Sequence, residues 1–329
     1  MAVTMAEISK LRTMTGAGMM DCKNALTEAN GDMEQAIELI RKRGQAIAAK
    51  RSDREASEGC VLAGVKDGFA AIVALKCETD FVAKNADFIA FTKSILDKAL
   101  EVLPETIDEL KEQVVGGRKI ADLLTDQMGK IGEKIDVGFY GKVSAEHSFA
   151  YTHPGNRLAT IVSFDAKVAD PQVGKDVAMQ IAAMNPVAID QNDVPQSVID
   201  SEIEIAKEKT VQEQIQKAVE VALKKAGINP NLVDSEDHMS SNITKGWLTE
   251  EEANKAREIK ASVAEEKKNN IPAAMVENIA KGRLNKFFKE STLMNQEFVK
   301  DSKLTIAQYM ESAQKGLKVT AFKRFGLSN

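Results

Sequence analysis

The dipeptide Asp67-Gly68 stands between two apolar runs, Cys60 to Val65 and Phe69 to Cys77. Asp-Gly accepts the left-handed backbone of a two-residue turn, so the spacing predicts a β-hairpin. The second run contains AAIVAL, Ala70 to Leu75, and reads as a buried strand. It leads into LKCETDFVAKN, Leu75 to Asn85, and an apolar helical pattern follows. Thr79, Asp80, Phe81 and Val82 therefore fall where a buried strand gives way to a helix, a rigid place from which to present a side chain. In a chain with 5% aromatic residues, an acid here stands directly beside a phenylalanine. The plainer reading of such a pair is that Phe81 packs under the loop and Asp80 caps a turn.

The same order occurs twice. After the junction, Phe88, Ile95 and Ala99 line one side of a helix opened by Asn85 and closed near Pro104, and a third strand is predicted near Ile135 to Val143. Then Phe149 to Thr152 and Leu158 to Phe164 bracket the turn His153-Pro154-Gly155-Asn156. A helix is predicted from Gln172 to Met184, and Val319 to Phe325 supplies a third strand. AAIVAL in the first copy matches LATIVSF in the second, which points to an internal duplication. Antiparallel strands packed on helices in this order make the expected fold class α+β.

Ahead of this core lies a helical segment. Thr4 and Glu7 form a capping-box pattern before Ile8 and Leu11, and Thr15-Gly16-Ala17-Gly18 stops that helix. Cys22, Ala25, Leu26 and Ala29 give a second helix, and Asp32 with Gln35 caps a third, expected to end at Gly44. Three short helices in this order are expected to form a compact module that resembles the ubiquitin-associated type. Its Gly-Ala-Gly lacks the preceding strand and the G-K-[ST] ending of a phosphate-binding loop. Met19 and Met20 suit a surface that adapts to another protein, although both could instead fill the module's small core.

The expected organisation is a module over 1–45, a charged linker over 46–58 that begins as a solvated helix end, core halves over 59–145 and 146–189 with 271–329, and a helical insertion over 190–270. In the insertion, Ile199, Ile203, Ala206, Ile215, Ala218 and Ala222 recur at helical spacing, as do Ala253, Ala256, Ile259 and Val263. Two polar helices with one narrow apolar stripe each suggest an antiparallel hairpin, a coiled-coil arm that pairs with itself or with a second copy of the chain. Arg283, Lys286 and Lys289 read as a solvated helix face.

A formal net charge of -5 argues against direct nucleic-acid binding, because phosphate affinity needs clustered Lys and Arg. No window is apolar enough to span a bilayer, and the amino terminus has no signal-peptide core, so no membrane partner and a cytoplasmic location are expected. Cys22, Cys60 and Cys77 form no C-x-x-C pair and read as small buried hydrophobes. The three histidines, His147, His153 and His238, stand beside no recognisable nucleophile or metal-ligand spacing. Neither an enzymatic activity nor a cofactor or metal site is expected. A cysteine nucleophile at Cys77 beside Glu78 is the enzymatic rival.

The TDFV of Thr79 to Val82, the peptide LRTMTGAGMMDCKNAL of Leu11 to Leu26 and the closing peptide resemble the bacterial elongation factor Ts family. The likeness covers nearly the whole chain, and is weakest across the insertion, which looks longer than that family's usual arm. Ala74 and Lys76 depart from its pattern, which more often has an acid and an asparagine there. The resemblance implies a guanine-nucleotide exchange factor for elongation factor Tu. In that reading, Phe81 wedges between helices of the GTPase near its magnesium site, and Asp80, within Thr79 to Val82, perturbs the groups that hold the ion. It also implies that the module docks on the nucleotide domain through Arg12, Gly18, Met19 and Met20. His153 and Arg157 match a TH-P-G-x-R stretch of the family, and His153 is carried as a partner contact. The binding-class rival is an adaptor for ubiquitin-like folds that uses the three-helix module alone.

Overall fold

The computed structural model describes residues 3–51, 53–144 and 147–328. The expected boundary between the core halves, at 145–146, lies outside them, as does residue 52 of the expected linker. The fold is α+β, with small antiparallel sheets among many helices. By its contacts the chain forms two units: one runs to Ile189 and resumes at Gln296, and the other is Asp190–Asn295.

The first unit opens with α1 (Met5–Thr15), α2 (Met19–Glu28) and α3 (Met33–Arg51). Thr4 and Glu7 make the capping box of α1, and Gly16, at φ 69°, closes that helix with its N–H on the Arg12 carbonyl, 2.7 Å away. Ile8, Leu11, Cys22, Ala25, Leu26 and Ala36 fill the space among the three helices.

Two three-stranded sheets follow. The first is ordered β1 (Glu58–Lys66), β2 (Phe69–Cys77), β5 (Asp136–Ser144). Between β2 and β5 come α4 (Asp80–Ala83), α5 (Ala86–Val102), α6 (Ile107–Lys111), the short pair β3 (Val114–Val115) and β4 (Arg118–Lys119), and α7 (Ile120–Ile131). The turn before β2 places Asp67 at φ 46° and Gly68 at φ 84°, the left-handed pair a two-residue hairpin needs. In the second half β6 (His147–Thr152) and β7 (Leu158–Phe164) form the hairpin, and α8 (Pro171–Met184) follows. In both sheets the second hairpin strand lies in the middle, flanked by its hairpin partner and by a strand from later in the chain.

β2 is buried on both faces, which explains its unbroken apolar run. Ala71, Val73, Leu75 and Cys77 pack with Phe88, Ile95 and Ala99 of α5. Ala70, Ile72 and Ala74 face Ala159 and Ile161 of β7 across an apolar layer that also holds Phe139 and Phe325. Those two rings stack with centroids 4.3 Å apart.

The second unit contains α9 (Gln196–Lys225), α10 (Glu236–Thr244), α11 (Glu250–Asn270) and α12 (Ala273–Ser291). Both α11 and α12 run against α9. Leu223, Ile228, Val233, Met239, Leu248, Ala253 and Ala256 form a small core of their own. The expected edge of the insertion near 270 separates α11 from α12, yet α12 packs on α9, where Arg283 pairs with Glu213 at 2.8 Å. The chain then returns through β8 (Glu297–Phe298), β9 (Asp301–Thr305) and α13 (Ile306–Ala313) to β10 (Val319–Gly326), the last strand of the second sheet.

One helix end differs from the sequence reading. α3 does not stop at Gly44; it continues to Arg51, so residues 46–51 of the expected linker are helical. Gly44 faces Gly129 of α7, where a Cβ on Gly129 would stand 2.9 Å from the Gly44 Cα. The missing side chains let two helix backbones approach, and that contact outweighs the poor intrinsic helix propensity of glycine.

Gly129→Ala should therefore lower stability to urea by about 1 to 3 kcal/mol, as overpacking does. Gly282, inside α12 with nothing within 4 Å of an added Cβ, gives the contrast. Gly282→Ala should raise the stability of its unit by up to about 1 kcal/mol. A neutral Gly129→Ala would mean that α3 and α7 do not approach so closely.

Candidate functional site

β2 ends at Cys77, and two residues later Thr79 caps the single turn of α4. Thr79 has extended backbone, and its Oγ1 accepts from the Val82 N–H at 3.4 Å. A helix of one turn sorts its side chains sharply. Ala83 is buried and Val82 packs half-buried against the α5 core, while Phe81 is exposed and Asp80 is half-buried beside it. Phe81 is 84% exposed, the highest among the large exposed hydrophobic side chains of the described residues; Phe88, one helix later, is 2% exposed. Phe81 therefore does not pack under the loop. Asp80 accepts from Lys84 Nζ at 2.6 Å, and this lysine chiefly holds its carboxyl below the usual carboxylate range. The pair is largely in solvent and adds little to stability.

What holds the turn comes from far along the chain. Glu133 stands just after Gly132, the left-handed C-cap of α7. Its Oε2 accepts from the backbone N–H groups of Glu78, at 3.1 Å, and Thr79, at 3.0 Å, and its Oε1 accepts from the Thr79 hydroxyl at 2.7 Å. Glu78 reaches back: its Oε1 accepts from the Lys134 N–H at 2.7 Å and from Arg51 at 3.0 Å, and its Oε2 accepts from Arg54 at 3.0 Å. The Lys134 N–H, then the guanidinium groups of Arg54 and Arg51, hold the Glu78 carboxyl below its ordinary value. These partners were not read from the sequence. Glu133 lies 54 residues from Thr79, and an acid after a helix-ending glycine carries no spacing signal of its own.

Cys77 is buried beside this junction, and its Sγ donates to the Thr79 carbonyl at 3.2 Å. Burial, more than the nearby Glu133 and Glu58, pushes its thiol up to about 12. A thiol protonated at neutral pH is no nucleophile, so the enzymatic rival at Cys77 loses its reactive species.

The other candidate residues stand on different elements. Gly18 is the N-cap of α2, and Met19 and Met20 form its first exposed turn, at 48% and 63% exposure. They are outside the module core, which Ala17 and Cys22 enter on either side of them. Arg12 is exposed in the last turn of α1. His153 is exposed at the tight turn after β6, with Nδ1 2.9 Å from the Tyr151 hydroxyl. Arg157, at the same turn, pairs with Glu58, whose strand partner is Cys77. The second hairpin is thereby tied to the sheet beside the Thr79 turn.

A family model described as "Elongation factor TS" matches residues 78–219 and 210–329. The chain belongs to the elongation factor Ts family. It is 57% identical over 328 residues to "Elongation factor Ts" of Phocaeicola vulgatus, covering 99% of both chains. The protein of the same name from Bacteroides fragilis strain ATCC 25285 is 56% identical over the same span, again covering 99% of each chain. That from Porphyromonas gingivalis strain ATCC 33277 is 48% identical, covering 100% of this chain and 99% of the relative. These likenesses run through the helical insertion, so its length is shared with these relatives.

Phe81→Ala should change the unfolding free energy by less than about 1 kcal/mol, whereas Phe88→Ala should cost about 3 to 5. Denaturant titration of both variants checks this. A loss for Phe81→Ala comparable to that of Phe88→Ala would return Phe81 to the core.

Proposed function

We propose that the protein is a guanine-nucleotide exchange factor for elongation factor Tu in translation elongation, with no covalent chemistry of its own. The observation that carries this reading is an exposed Phe81 beside Asp80 on one clamped turn, in a member of the elongation factor Ts family. The physical basis is reciprocal linkage. A protein that binds the nucleotide-free GTPase more tightly than the loaded form weakens GDP by the same free energy. Phe81 supplies apolar area that is unburied in the free factor, worth about 1.5 to 3 kcal/mol if fully covered by the partner. Because its turn is already ordered, less of that gain is lost in ordering the site on binding.

In this mechanism Phe81 enters between helices of the GTPase while Asp80 disturbs the groups around its magnesium ion. Thr79 and Val82 hold the turn from below. Removing the metal removes charge neutralisation from the diphosphate, and GDP leaves. The complex persists until GTP binds. Arg12, Gly18, Met19 and Met20 form the docking surface of the amino-terminal module, where exposed thioethers adapt to a partner's contours. His153 adds a contact from the second hairpin. Among the described residues, no helix is long and apolar enough to cross a membrane. The proposed setting is the cytoplasm, where the partner is met. A free-standing adaptor built on the three-helix module is disfavoured, because the family match begins at residue 78, beyond it.

Release of a fluorescent GDP analogue from elongation factor Tu tests the reading, and the protein should accelerate it catalytically. Met19→Ala with Met20→Ala should raise the half-saturating concentration at least about tenfold, while saturation restores most of the rate. If saturation fails to restore it, the methionines act in expulsion rather than docking.

Magnesium tests the mechanism further. As free magnesium falls, spontaneous release quickens, and both the fold-acceleration and the deficit of an Asp80→Ala, Phe81→Ala variant should shrink together. A deficit that stays constant across the titration would place the action of these residues elsewhere than at the metal.

A further inference from the structure

We infer that Glu133 is a positioning residue for exchange: its carboxylate holds the turn that presents Asp80 and Phe81, without itself meeting the partner's nucleotide. The inference rests on the exchange reading above. Its structural basis is the need of α4 for outside support. A single helical turn of four residues is too short to be stable alone, since nucleation fixes several torsions for one hydrogen bond. Phe81 cannot anchor it, being exposed, and the Asp80–Lys84 pair is too open to solvent to add much. Val82 and Ala83 pack inward but leave the orientation of the preceding residues to the chain's entry.

That entry is what Glu133 holds. The amides of Glu78 and Thr79 lie beyond the last residue of β2 and donate to Glu133. The Thr79 hydroxyl, the cap of α4, gives its proton to the same carboxylate and accepts from Val82. One carboxylate thus takes three donors and sets the direction in which the cap enters the helix. Bonds to a charged acceptor are stronger than neutral ones, and their loss leaves part-buried amides unpaired. Glu133→Gln retains one carbonyl oxygen for the two amides, and its NH2 can donate to the Thr79 hydroxyl oxygen. It should keep the geometry that Glu133→Ala abolishes.

The test uses the full chain and two independent readouts. In the free protein, amide hydrogen exchange over residues 79–85 should accelerate at least about tenfold in Glu133→Ala, stay near wild type in Glu133→Gln, and be unchanged in β2 for both. With elongation factor Tu loaded with fluorescent GDP, Glu133→Ala should lower the saturated release rate at least about tenfold while the half-saturating concentration changes less than about threefold. Glu133→Gln should recover most of that rate. Unchanged amide protection in Glu133→Ala overturns the clamp. Lost protection with a wild-type release rate overturns its role in exchange, as does a loss felt only in the half-saturating concentration. If wild-type protein fails to accelerate GDP release, the exchange reading falls and this role with it, while the protection data still decide whether the carboxylate holds the turn.

Discussion

Two carboxylates exchanged between loops hold the candidate site together. Where β2 ends, the amides of Glu78 and Thr79 have passed beyond the sheet and need acceptors, and Glu133 supplies them. Where α7 ends, the Lys134 amide has the same need, and Glu78 supplies it. Each acid thus satisfies the backbone of the other's loop. Two anions so close are tolerated because Arg51 and Arg54 lie on Glu78, and Lys134 Nζ donates to the Arg54 carbonyl at 2.8 Å. The last turn of α3, the end of β2 and the end of α7 therefore meet at one polar knot.

The knot links parts of the chain that differ in task. α3 carries the amino-terminal module and its exposed methionines, and reaches Glu78 through Arg51. α7 meets α3 at Gly129 and Gly44, then turns at Gly132 into the acid that holds Thr79. A partner gripping both the α2 turn and the Phe81 turn would meet two surfaces braced by the same pair of helices. Bracing of this kind limits the conformational entropy lost when both are engaged.

The double-sided burial of β2 gives the junction its rigidity. Helix α5 covers one face and the second sheet covers the other, so the strand cannot shift by one residue without sending every side chain to the wrong face. An exposed phenylalanine adjoining so fixed a strand is an apolar group kept in water by its surroundings. Singly exposed apolar residues are tolerated on soluble proteins, so this one does not unbalance the fold.

Much of this was legible in the order of residues. Asp67-Gly68 specified its hairpin because few residues accept a left-handed turn, and the matching of AAIVAL with LATIVSF disclosed two sheets of like order. The TDFV peptide marked both the junction and the family. Local chemistry was enough for these features, since turns, caps and buried strands depend on neighbours in sequence. Tertiary structure alone decided the rest. Gly44 reads as a helix end until Gly129 appears opposite it. Glu133 reads as one acid among many until the fold carries it across 54 residues to Thr79. In each case the deciding contact is made by atoms distant along the chain, and only the closed fold brings them within hydrogen-bonding or van der Waals reach.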